Sequence, residues 1–159
     1  MIDYSSRMRK RRTQTILFQN IYQRNFMGLC GTHVLIYLRK INFQKFDTVT
    51  LFETNIELYK KAVIDCMHFS NVTIINGNIG DYLDQKDTYY DLDFETTINK
   101  AVIINMLPKI AKLSNFSFTV CMRRGPKLAT LATFNSFYDK PYKVLTYRDG
   151  PPMMIIQSN

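Results

Sequence analysis

A chain of 159 residues that is 46% hydrophobic is long enough for one domain with a sizeable core and too apolar for intrinsic disorder. Its formal net charge of +8 favours an acidic partner, most simply nucleic acid. Cys30, Cys66 and Cys121 are odd in number and widely spaced, which argues against a disulfide framework. No apolar run approaches the roughly 20 residues that a membrane span needs.

Residues 1–14 are polar and carry Arg7, Arg9, Lys10, Arg11 and Arg12, the composition of a solvated basic arm or of a contact for phosphate backbones. They lack the apolar stretch of a signal peptide, so an intracellular, cytoplasmic protein is expected, with residues 15–159 as one domain. The abundance of Asn, Ile, Lys, Tyr and Phe points to an AT-rich coding genome, such as that of a virus or mobile element.

After an apolar lead-in from Thr15 to Tyr22, Asn25 to Cys30 reads as a short apolar segment ending in the turn Gly28-Leu29-Cys30-Gly31. Thr32 is the expected cap of a helix through Val34, Leu35, Ile36 and Leu38 to about Ile41. Thr48 to Phe52 is a β-branched strand stopping at Glu53. Asn55 then caps a helix whose Ile56, Tyr59, Ala62, Val63 and Cys66 fall at helical spacing. Val72 to Ile75 is a strand closed by the turn Asn76-Gly77-Asn78, and Gly80 to Gln85 suits a single helical turn.

Tyr89 to Phe94 is the next strand. A helix is expected from about Thr97 to Leu113, buried through Ala101, Val102, Ile104, Met106 and Leu107 and kinked or split at Pro108. Phe116 to Met122 shows no alternation, as expected of a strand covered on both faces. Lys127 to Tyr138 reads as helix. Tyr142 to Tyr147 and Met153 to Gln157 are strands joined by the turn residues Arg148-Asp149-Gly150-Pro151-Pro152. This order implies a doubly wound α/β domain, a mostly parallel sheet flanked by helices with a C-terminal antiparallel hairpin.

In such a sheet ligands bind at the carboxyl ends of the strands, near the point where strand order reverses. Those ends are Gly28 to Gly31, Glu53 to Asn55, Asn76 to Ile79 and Asp91 to Glu95. Glu53 follows Gly28 at about the interval at which a strand-end carboxylate meets a ribose in dinucleotide-type folds. Asp91, Asp93 and Glu95 alternate and so share one strand face, with Leu92 and Phe94 on the other.

The terminal hairpin, the acid ending the second strand and Asp91-Leu92-Asp93-Phe94 on the fourth strand resemble a class I S-adenosylmethionine-dependent methyltransferase of the compact, divergent type found in viruses and mobile elements. The likeness covers roughly residues 24–159 and lies in element order more than in motif identity. The family's first turn is an Asp/Glu-x-Gly-x-Gly-x-Gly loop; Asn25-Phe26-Met27-Gly28-Leu29-Cys30-Gly31 keeps two glycines and lacks the leading acid. The resemblance implies S-adenosylmethionine as cofactor, with Gly28, Cys30 and Gly31 at its turn and Glu53, followed by Thr54, at its ribose. Asn78 and Ile79 would flank the adenine, and Asp93 and Phe94 would face the methyl-transfer centre. The Asn/Asp-Pro-Pro-Tyr/Phe motif of many amino-group DNA methyltransferases is absent.

Two rival readings stand beside it. Asp91, Asp93 and Glu95 are the oxygen ligands a Mg²⁺-dependent nuclease would use, with Arg123, Arg124 and Lys127 clamping phosphate. Ligands at i, i+2 and i+4, however, stretch over roughly 13 Å of strand, too far to share one ion. The alternative is a non-catalytic nucleic-acid-binding protein on a degenerate methyltransferase fold. On the methyltransferase reading, specificity for a substrate would come from a partner, a homodimer or the basic arm.

Overall fold

The architecture follows from two repeating devices, short strands that pair in parallel and helices that return the chain between them. The computed structural model describes residues 17–122, 127–148 and 151–159. The basic arm 1–14, Arg123, Arg124 and the Asp149-Gly150 turn lie outside the described residues. In chain order the elements are β1 (Asn25–Leu29), α1 (Val34–Ile41), β2 (Thr48–Glu53), α2 (Ile56–Cys66), β3 (Val72–Asn76), β4 (Thr88–Thr97), α3 (Ala101–Ile110), β5 (Phe116–Cys121), α4 (Lys127–Asn135), β6 (Tyr142–Arg148) and β7 (Pro152–Ser158). Short 3-10 turns occupy Phe43–Lys45 and Ile79–Tyr82. No described helix is long and apolar enough to cross a membrane.

The strands form one sheet in the order β3-β2-β1-β4-β5-β7-β6. β1 pairs in parallel with both β2 and β4, so the strand order reverses at β1, and β3 pairs in parallel with β2. β7 pairs antiparallel with β5 and with β6, which makes the expected terminal hairpin. The chain divides between Asp91 and Leu92, within β4, into two compact units.

In the first unit Phe26 of β1 is fully buried and meets the rings of Phe18, Tyr37, Phe46 and Tyr89. In the second, Phe134 of α4 packs against Phe116, Phe118, Tyr138 and Tyr142. β5 is buried at every residue, as its unbroken apolar character requires. Asn55 caps α2 through its side-chain oxygen, which accepts from the N–H groups of Glu57 and Leu58.

Several sequence expectations need correction. The residue before α1 is His33, not Thr32, and it makes no side-chain cap bond. β4 runs on to Thr97, so α3 begins only at Ala101 and ends at Ile110. Its buried stripe is Ile103, Met106, Leu107 and Ile110, while Ala101, Val102 and Ile104 face outward. A helix buries one stripe, and here apolar residues continue beyond it. Pro108 stays inside α3 without splitting it, because it falls in the last turns and the ladder resumes with Ala111 N–H donating to the Leu107 carbonyl at 2.9 Å. On α2 only Ala62 and Cys66 are buried, and Ile56 and Val63 face outward.

Candidate active site

The end of β2 is held by a local network. Glu53 is its last residue and pairs with Asn76 of β3. The backbone N–H of Asn55 donates to Glu53 Oε1 at 2.8 Å, so the residue that caps α2 also orients the carboxylate. The Asn76 side-chain amide donates to the carbonyls of Glu53 (2.9 Å) and Thr54 (3.4 Å), and Gly77 N–H donates to the Glu53 carbonyl at 3.2 Å. Glu53 is half-buried and Thr54 exposed. An anionic acceptor is thus presented in a fixed direction at a strand end.

The neighbouring end of β1 is built differently. Leu29 is in register with Phe52, and Cys30 N–H donates to the Phe52 carbonyl at 2.9 Å, which carries the pairing one residue beyond β1. Gly31 then takes a left-handed conformation (φ 65°), where a side chain would be strained, and nothing lies within 4 Å of the position its Cβ would occupy. That turn leaves room for a ligand to approach the backbone. Gly28 serves another purpose. A Cβ there would sit 2.5 Å from the Tyr37 hydroxyl and 3.1 Å from the Phe26 ring. The same hydroxyl donates to Asp91 Oδ2 at 2.5 Å, and Asp91 is the register partner of Gly28 on β4.

Cys30 is buried, and its thiol is pushed up to about 12 by burial first, then by the neighbouring Cys66 and Glu53. It therefore stays protonated and acts as core filler instead of a nucleophile. Beyond β3, Asn78 is exposed and its side chain accepts from Gly80 N–H at 2.9 Å, opening the turn that buries Ile79. His33 and His68 are both exposed.

Gly28, Cys30, Gly31, Glu53, Thr54, Asn78 and Ile79 all lie in the first unit. Asp93 and Phe94 belong to the second. Both are half-buried, and the Phe94 ring meets the edge of Phe118. By strand alternation Asp93 shares the face of Asp91. The side chain of Glu95 lies outside the described residues. Among the described residues no group of three His, Cys, Asp or Glu side chains is arranged to hold a metal ion.

Two contributors escaped the sequence reading. Tyr37 looks there like one more apolar residue of α1, and nothing local marks its hydroxyl. Asn76 is visible as a turn residue, but its grip on Glu53 depends on strand pairing.

No protein-family model and no curated protein matches the chain. Solved structures do. The N-methyltransferase NodS from Bradyrhizobium japonicum superposes with a TM-score of 0.64 at 8% identity, over 98% of this chain and 98% of that one. An rRNA methylase from Streptococcus thermophilus gives 0.59 at 9% identity, over 92% and 95%. A SAM-dependent O-methyltransferase from Thermotoga maritima gives 0.60 at 11% identity, over 94% of this chain and 64% of that one. The fold is that of the class I methyltransferases. The three neighbours differ in what their names say they methylate, so this fold does not specify the acceptor.

Proposed function

We propose that the protein is an S-adenosylmethionine-dependent methyltransferase. One observation carries the reading. In a sheet of this topology, an open left-handed glycine turn after β1 stands beside a half-buried carboxylate that the Asn55 backbone N–H orients at the end of β2. The first feature admits a ligand to the backbone, and the second accepts hydrogen bonds from a ribose diol.

When bound, the cofactor supplies an electrophilic sulfonium methyl group. The chain's part is positioning and electrostatics. The Gly31 turn receives the ligand, Glu53 orients its ribose, and Asn78 with Ile79 bounds its base. In the second unit, Asp93 is the residue suited to take or hold the proton of an attacking group, with Phe94 next to it on β4. The charge of +8 supports a nucleic-acid acceptor, in keeping with the rRNA substrate in one neighbour's name.

Thermal shift and calorimetry with S-adenosylmethionine and S-adenosylhomocysteine, against Mg²⁺ and Mn²⁺, test the proposal. Stabilisation by both nucleosides and its loss in Glu53→Ala are expected. Stabilisation by metal alone would favour the nuclease. Silence towards all four, with salt-sensitive nucleic-acid binding, would favour a degenerate binding module.

A further inference from the structure

α1 begins without the usual supports. It has eight residues, no acidic side chain in its first turn and an N-cap residue, His33, that makes no side-chain cap bond. So short a helix frays at its start unless tertiary contacts hold it. Val34, Leu38 and Ile41 are buried along it, and Tyr37 adds a polar contact to the sheet. The Tyr37 N–H closes the first helical turn on the His33 carbonyl at 3.1 Å, its ring packs on Phe18 and Phe26, and its hydroxyl reaches across to β1 and β4.

At that point three groups meet. Gly28 is the last β1 residue paired with β4, Asp91 is its partner, and the Tyr37 hydroxyl fills the space a Gly28 side chain would need. Asp91 is 2% exposed, so its carboxylate depends on donors such as this hydroxyl. The Cys30-Gly31 turn leaves the sheet two residues beyond Gly28 and enters α1 at Val34, so it is anchored at both ends by what Tyr37 holds.

We propose that Tyr37 is the positioning residue of the glycine turn: its hydroxyl, seated over Gly28 and bonded to Asp91, sets the turn conformation on which ligand affinity depends. The proposal rests on the methyltransferase reading only for the identity of the ligand. Gly28 is then a glycine because of Tyr37, not because a ligand touches it.

The test combines Tyr37→Phe, which keeps the ring and removes the hydroxyl, with Gly28→Ala, alone and together. Affinity for S-adenosylhomocysteine, amide exchange at Cys30 and denaturant midpoints are read on each folded variant. Tyr37→Phe should weaken affinity by about fivefold to tenfold, the worth of one buried hydrogen bond. It should speed exchange at Cys30 by a similar factor and leave Ala62 in α2 unchanged. Gly28→Ala should do the same in the parent chain but cost clearly less once the hydroxyl is gone, because the 2.5 Å clash has been removed and only the close 3.1 Å approach to the Phe26 ring is left.

Unchanged affinity in Tyr37→Phe, with or without faster exchange, overturns the proposal. So does a Gly28→Ala penalty of equal size in both backgrounds. If the parent chain does not bind S-adenosylhomocysteine, the methyltransferase reading falls, and exchange at Cys30 with the two-residue cycle still decides whether Tyr37 holds the turn. A variant that fails to fold is replaced by the other, since Gly28→Ala displaces the same hydroxyl from the opposite side.

Discussion

Asn55 donates its backbone N–H to Glu53 Oε1 while its own side chain accepts from Glu57 and Leu58, so one residue ties the strand-end carboxylate to the start of α2. The coupling gives Glu53 and Asn55 separable roles. Glu53→Ala should cost about 1.5–3 kcal/mol in S-adenosylhomocysteine binding, the range for hydrogen bonds to a charged group, and little stability. Titration calorimetry reads the first and a urea midpoint the second. An affinity within twofold of the parent would remove Glu53 from the site.

Asn55→Ala should instead act on stability. Loss of an Asn cap costs about 1 kcal/mol, and Asn55→Asp should recover most of it, because a carboxylate caps equally well and suits the helix N-terminus. Equal midpoints for the parent and Asn55→Ala in urea would show that α2 does not depend on this cap.

The difference between these residues also explains what could be read in advance. The Asn55 cap is a contact between near neighbours, and the apolar runs of β2 and β5 carry their own pattern, so element order and the terminal hairpin were legible. The outward faces of α2 and α3 were not, because Val63, Val102 and Ile104 are as apolar as their buried neighbours and only the tertiary setting decides which stripe turns inward. Tyr37 was the least legible. Its partner Asp91 is 54 positions away, and no local signal announces a hydrogen bond across that distance.

Cys30 gives a pH dependence with a definite sign. An unfolded thiol ionises near 9.0, whereas the folded one keeps its proton to about 12. The folded state therefore holds the extra proton, its contribution is complete below pH 9, and it is lost as pH rises towards 12, with a slope of up to about 1.4 kcal/mol per pH unit. Cys66, Tyr90 and Tyr138 are shifted up as well, so the decline is shared. Between about pH 8 and about pH 10 the urea midpoint should fall further in the parent than in Cys30→Ala. Parallel declines would contradict this.

Phe134 is the keystone of the second unit, 1% exposed and in contact with four aromatic rings. Phe134→Ala should cost about 3–5 kcal/mol through lost burial and the cavity left behind, and Phe134→Leu appreciably less. Chemical denaturation monitored by tyrosine fluorescence measures both. A loss below about 1 kcal/mol would mean that the surrounding rings collapse into the space.

The position of β7 fixes an order of events in folding. It lies between β5 and β6, yet both are translated before it. Until Pro152–Ser158 docks, one side of β5 is an open edge of Phe-Ser-Phe-Thr-Val-Cys, an apolar ladder able to recruit other chains. β6 cannot close that edge early, because it reaches the sheet only through β7. Any state in which Pro152–Ser158 is unpaired therefore exposes that ladder, and a chaperone matters most before β7 has docked.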